Sequence, residues 1–298
     1  MRISTPSAGL TAPARPAAGR RFDVLINVPG GGVTLTLILF SLGLVLLLSL
    51  RTHEGGLLLG GLTTDNLVAV VTDPLYRMVI LRSFVIAGLV TLATVATAYP
   101  VAYFIAFHGG RHKRLLLLIV SLPFWTSYLL RVFAWKIVLA YNGVLNSALV
   151  GTRLLDAPTT ALLNTPAAVV LTLAHAYAAF AILPVYVALD TIRPSLLEAA
   201  SDLGAKPRQA FLRVVLPLSM PGILSAALVV FVPTVGDYVT PALVGGPAST
   251  MIGSIIQSQF GKANDWPFGA AVSVVALAAT LLVVLAVAAL GRRIGGRA

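Results

Sequence analysis

Cysteine is absent from all 298 residues. That excludes disulfides, thiol nucleophiles and cysteine-based metal sites. Charge is scarce as well: Asp, Glu, Lys and Arg make up 10% of the chain, against about 25% in soluble domains. Acids are the scarcer sign, 10 against 21 Lys and Arg. No His/Glu metal pattern and no Ser/His/Asp set stands out in the apolar runs, which argues against a membrane-embedded enzyme. No G-x-x-x-x-G-K-[ST] loop is present to cradle a nucleotide phosphate.

What the chain has instead is apolar length. Hydrophobic residues make up 58% of it, and several runs reach the ~20 residues that a helix needs to cross a bilayer. A membrane barrel would show short alternating segments. The expected fold is therefore an all-α polytopic membrane protein with about six transmembrane helices. The runs lie at roughly 33–50, 78–107, 115–140, 166–189, 221–239 and 267–290. Residues 1–30, rich in Pro, Ala, Gly and Arg, are expected to be a disordered basic tail. Residues 31–291 are expected to form the transmembrane domain, and 292–298 a basic C-terminus. Arg20-Arg21 resembles an export signal, but no small-residue cleavage site follows, so the first run is expected to stay as a span.

The net charge of +11 would suggest nucleic acid in a soluble protein. Here it reads as topology, and no nucleic-acid partner is expected. Lys and Arg gather on the cytoplasmic side of membrane proteins. Clusters fall in the N-terminal tail (Arg15, Arg20, Arg21), in "HGGRHKR" at 108–114, in 193–213 (Arg193, Lys206, Arg208, Arg213) and at the C-terminus (Arg292, Arg293, Arg297). Six spans put all four clusters on one side, so both termini are expected in the cytoplasm of a multi-pass inner-membrane protein.

The most polar stretch of the middle of the chain is "EAASDLGAKPRQAFLRVVLPLSMPGI" at 198–223. Ser195 precedes Glu198 by three residues, a capping-box spacing. Gly204 stands where a helix-ending glycine belongs, and Pro207 suits the first turn of a second helix. The expectation is a short helix over 196–203, a glycine corner, and a second helix halting near Pro217, with the fifth span starting at 220–222. Ala199 and Ala200 leave room for a partner to pack closely. Leu196, Leu203, Phe211, Val214 and Val215 offer apolar contact, and Glu198, Asp202, Lys206 and Arg208 offer charge for orientation.

"EAASDLGA", followed by Phe211, "LP" and "PGI", resembles the EAA loop of ABC-importer permeases. "PFWTSYLLRVFAW" (123–135), "NGVLN" (142–146) and "GDYVTPALVGG" (236–246) resemble segments of the spermidine/putrescine permease group of the first-permease type. The resemblance runs from about 30 to 290. It implies a type I ABC importer permease with a cytoplasmic coupling-helix loop between the fourth and fifth spans. Glu198, Ala199, Ala200 and Gly204 would then be the core positions that dock a cytoplasmic ABC ATPase dimer, with Asp202 and Phe211 beside them on the same coupling segment. It further implies a second permease subunit, an external solute-binding protein, surrounding lipid, a small solute such as spermidine or putrescine, and neither cofactor nor metal. Permeases of this family for other solutes, and a secondary transporter driven by an ion gradient, are the alternative readings.

Charges inside membrane spans are functional candidates. Counting from the cationic edge at 1.5 Å per residue places Arg131 and Asp237 ~25 Å in, near the external mouth, with Arg82 at a comparable level. Asp237 is open to two roles, attracting a cationic solute or pairing with Arg131 or Arg82. Trp125, Tyr128, Arg131, Asp237 and Tyr238 are the candidate pathway residues. Trp125 and Tyr128 suit cation–π contact, and Trp135 suits an interfacial belt. His175 and Tyr177 fit pore lining or helix packing equally.

Overall fold

The computed structural model describes residues 17–52 and 61–295. Among these, helices dominate and the only β pairing is an isolated bridge between Arg51 and Leu62. The twelve α-helices are α1 (Ala17–Ser49), α2 (Asp65–Thr72), α3 (Pro74–His108), α4 (Lys113–Ser121), α5 (Tyr128–Leu139), α6 (Val144–Gly151), α7 (Pro166–Asp190), α8 (Pro194–Asp202), α9 (Pro207–Ala210), α10 (Leu216–Val235), α11 (Ile252–Gly261) and α12 (Trp266–Gly295). Among the described residues, six stretches are long and apolar enough to span a membrane: 31–49, 74–108, 128–151, 166–190, 207–235 and 266–292.

The chain divides into two units, Met1–Leu47 and Leu48–Ala298. The first holds most of α1. Its helix includes residues 17–30, part of the tail expected to be disordered; residues 1–16 of that tail, and 296–298 at the other end, lie outside the described residues.

The second unit is built around α7, which packs mainly on α3 and α10. Little polar surface is available to hold these helices together, so small residues let their backbones approach. Ala168, Ala174, Ala176, Ala179 and Ala181 of α7 are buried. Further along α7, a Cβ added at Gly222 would stand 2.6 Å from the Pro184 carbonyl oxygen, so only glycine fits at this crossing. A second cluster joins α2, α3, α11 and α12 through Val70, Val79, Ile252, Ala271 and Val272. There the N–H of Ile252, at the start of α11, donates to Ser83 Oγ of α3 at 2.7 Å. A neighbouring helix thus satisfies a buried helix-end donor that no local cap serves.

Three expectations fail on proline and glycine. The run 115–140 is not one helix: α4 ends at Ser121, a 3₁₀ turn covers Leu122–Trp125, and Thr126 is extended at ψ 142° before α5 begins. Pro123 supplies no N–H and starts the tight turn. The span-length stretch here is instead 128–151, made of α5 and α6 across the Asn142-Gly143 turn. Conversely, the chain does not halt near Pro217 or 220–222. It stays helical from Pro207 to Val235, with a π turn over Phe211–Val215. The wider turn loosens the ladder ahead of Pro217, where the proline would otherwise break it. The fifth span accordingly ends at Val235 rather than near Val239. The short helices α2, α6 and α11 were not foreseen.

Candidate functional site

The segment after α7 forms a compact corner. Helix α8 begins with Pro194 at its first turn, which suits proline's fixed φ and missing donor. Its N-cap is Arg193 with no side-chain hydrogen bond, so the Ser195–Glu198 capping box does not form; Ser195 lies inside the first turn. The C-terminus does follow the sequence signal. Gly204 has φ +80°. Its N–H donates to the Ser201 carbonyl at 2.8 Å, and the Ala205 N–H donates to the Ala200 carbonyl at 3.0 Å. This pair of bonds is the Schellman closure. Helix α9 starts at Pro207, and Gln209 Oε1 accepts from the Lys206 N–H at 2.9 Å.

The corner presents Glu198, Ala199, Asp202, Leu203 and Gly204 to the exterior, with Ala200 partly buried. Leu203 is 89% exposed, a large apolar side chain at the tip of a polar loop. Neither Glu198 nor Asp202 forms an ion pair among the described residues. Phe211 does not belong to this surface. It packs inward, edge-on to Tyr99 and Tyr103 of α3, each at 5.9 Å. Val215 is buried as well. The π turn rotates both side chains onto the bundle. The nearby Lys113 Nζ meets Asp190 Oδ1 at 2.7 Å, tying the start of α4 to the end of α7.

A cavity of about 350 Å³ opens between α5, α7 and the end of α10. Tyr128 and Arg131 line it from α5, Ala176, Tyr177 and Phe180 from α7, and Pro233 with 236–239 from the chain leaving α10. Its α7 residues lie about 15–21 Å from either end of that helix at 1.5 Å per residue. The cavity therefore sits at mid-length of α7, beside the first residues of α5 and just past the end of α10. The count from the edge assumed straight helices, which the break at 122–127 and the unbroken helix from Pro207 do not provide.

Asp237 is 8% exposed. Its Oδ1 accepts from the N–H groups of Val239 at 3.0 Å and Thr240 at 3.4 Å, opening the next helical turn. Its Oδ2 accepts from the Tyr128 hydroxyl at 2.7 Å. That hydroxyl also lies 2.6 Å from Thr240 Oγ1. A carboxylate has about four acceptor positions, so Asp237 keeps capacity for one more donor. Arg131 Nη1 donates to the Ala176 carbonyl at 2.8 Å, and its buried Nε has no protein partner. Arg131 and Asp237 share the cavity without forming an ion pair, and Arg82 lies against Met78 instead. The ion-pair alternative for Asp237 is thus not what the geometry adopts.

Of the candidate pathway residues, Tyr128, Arg131, Asp237 and Tyr238 line one cavity, and Trp125 does not. Trp125 is 88% exposed. The 3₁₀ turn and extended Thr126 take it off the face of Tyr128, and Phe124 packs on Phe180 instead, at 4.3 Å. Tyr177 and Phe180 complete the aromatic wall. Trp135 Nε1 donates to His175 Nδ1 at 3.1 Å, which assigns both to a helix contact outside the cavity lining. Thr240 was missed; its Oγ1 meets the Tyr128 hydroxyl of another helix, which no local pattern signals. Asn146 was missed also: buried, it accepts from the Thr159 N–H at 2.9 Å and donates to the Thr159 carbonyl at 2.9 Å, closing the loop after α6.

Six membrane-length helical stretches, an exposed two-helix corner and a cavity holding Asp237 and Arg131 fit a polytopic transport component. Residues 98–296 match the family model described as "Binding-protein-dependent transport system inner membrane component", and the chain belongs to that family. It is 38% identical over 231 residues to the spermidine/putrescine transport system permease protein PotB of Haemophilus influenzae, covering 78% of this chain and 80% of the relative. It is 35% identical over 292 residues to the inner membrane ABC transporter permease protein YdcU of Escherichia coli, covering 89% and 92%. Among solved structures, a chain of a bacterial ABC transporter involved in alginate import superimposes with a TM-score of 0.70 at 18% identity, over 92% of this chain and 97% of that one. This last likeness concerns the fold alone.

Proposed function

We propose that this chain is a membrane-spanning permease subunit of an ATP-driven importer for polyamines of the spermidine and putrescine class. The observation that carries the solute class is the 38% identity, over most of both chains, to a permease named for spermidine/putrescine transport. The cavity supports it: a buried carboxylate beside the rings of Tyr128, Tyr177 and Phe180 suits an alkylammonium group.

In this reading both termini and the 194–215 corner face the cytoplasm. The corner docks one subunit of an ATPase dimer through Glu198, Ala199, Ala200, Asp202 and Gly204, with Leu203 as an added apolar anchor and Phe211 as its root in the bundle. A second permease subunit and an external binding protein complete the importer. ATPase closure pushes α8; the short link from Asp190 to Pro194 transmits the push to α7, which forms one wall of the cavity. Alternating exposure of the cavity follows.

The test is uptake of radiolabelled spermidine and putrescine into proteoliposomes. They would hold the complete importer with its binding protein outside and ATP inside. ATP-dependent uptake of either is expected. No uptake of either, from an importer whose ATPase responds to another solute, would overturn the polyamine assignment and leave the permease assignment standing.

A further inference from the structure

The cavity holds a fixed positive charge as well as Asp237. Arg131 is anchored by Nη1 to a backbone carbonyl in the middle of α7. No ion pair among the described residues neutralises it. Asp237 meanwhile is already held by Tyr128 and by two backbone N–H groups. A site evolved only to grip a polycation would carry acids and no unpaired guanidinium. A transport site has a second requirement, that its occupant must leave. Repulsive elements are the usual way to set such a limit.

We propose that Arg131 is a specificity-determining residue that keeps the cavity's hold on ammonium groups weak. One ammonium can sit at Asp237 against the aromatic wall, while the guanidinium repels a second in the same cavity. A polyamine then passes one charged group at a time and does not lodge with two. The proposal rests on the polyamine reading above. It assigns Arg131 a role through charge, beyond its hydrogen bond to Ala176.

The test uses the purified permease–ATPase complex in lipid nanodiscs without its binding protein, and equilibrium binding of radiolabelled spermidine. Arg131→Gln keeps a hydrogen-bond donor and removes the charge. It should bind spermidine about tenfold tighter than the wild type, as expected for removing a like charge from a partly buried site. It should also import more slowly once the binding protein is restored. Arg131→Lys should behave as wild type. Adding Asp237→Asn to Arg131→Gln should abolish the tightening. Equal binding by wild type and Arg131→Gln would overturn the proposal, as would Arg131→Lys tightening like Arg131→Gln. A second measurement needs no variant: the wild-type complex should bind a monoamine and a diamine of equal chain length within a few-fold, and a large preference for the diamine would also overturn it. If wild type imports no spermidine yet Arg131→Gln binds it tighter, the polyamine reading fails and the role of Arg131 stands.

Discussion

Replacing Gly204 tests whether the corner couples ATP hydrolysis to transport, and the structure bounds the size of the effect. A Cβ at Gly204 meets nothing within 4 Å, so no clash contributes. The cost comes from the backbone: φ is +80°, and an L-residue held left-handed loses roughly 1–2 kcal/mol. The alternative is to abandon the turn and its two hydrogen bonds, from Gly204 to Ser201 and from Ala205 to Ala200. Each contributes a net ~0.5–1.5 kcal/mol, so relief by unwinding is no cheaper. Gly204→Ala should therefore bias the corner against its native shape by about 1–2 kcal/mol, a factor of roughly 5–30 in population. Gly204→Val should do worse, because β-branched residues are genuine outliers at positive φ. Gly204→Asn should be mild, since asparagine tolerates this region. The corner is exposed and peripheral, so yield and unfolding temperature should stay near wild type. The assay is ATP hydrolysis by the reconstituted importer, stimulated by loaded binding protein. Stimulation should rank Gly, Asn, Ala, Val. Full stimulation in Gly204→Val at equal expression, or Asn as damaging as Val, would refute the reasoning.

Orientation is open to labelling because no native cysteine interferes: single cysteines at Ala157 and Thr250 should react with an impermeant thiol reagent from outside intact cells, and those at His112 and Gln209 only after permeabilisation. External reaction at Gln209 would overturn both the topology and the docking role. Tyr128→Phe removes a donor from the buried Asp237 carboxylate and should lower stability by about 1.5–3 kcal/mol, the range for hydrogen bonds to charged groups. An unchanged unfolding midpoint in detergent would show that the bond contributes little. Gly222→Val must push α10 away from Pro184 and should cost about 1–3 kcal/mol or more, read as loss of monodisperse protein on size exclusion. A normal elution profile and melting temperature would contradict the close crossing.

Composition and periodicity determined much of this protein. Charge scarcity and apolar run length were enough for six membrane-length helices, because a lipid environment leaves a backbone few other ways to satisfy its N–H and C=O groups. The left-handed Gly204 was legible too, since only local geometry is involved. Where the outcome depended on how helices meet, the sequence was silent or misleading. Pro123 breaks its run while Pro217 and Pro221 do not, because a π turn and packing on α7 absorb the latter two. The capping box at Ser195 had the right spacing but lost to Pro194, which takes the first turn. Phe211 sat in a docking motif, yet Tyr99 and Tyr103 of a distant helix draw it inward. The cavity itself joins α5, α7 and the chain after α10, segments separated by some tens of residues. Only tertiary structure could set Tyr128 on Asp237, keep Arg131 out of an ion pair and leave Trp125 outside, because each depends on a bend or crossing angle that no local pattern encodes.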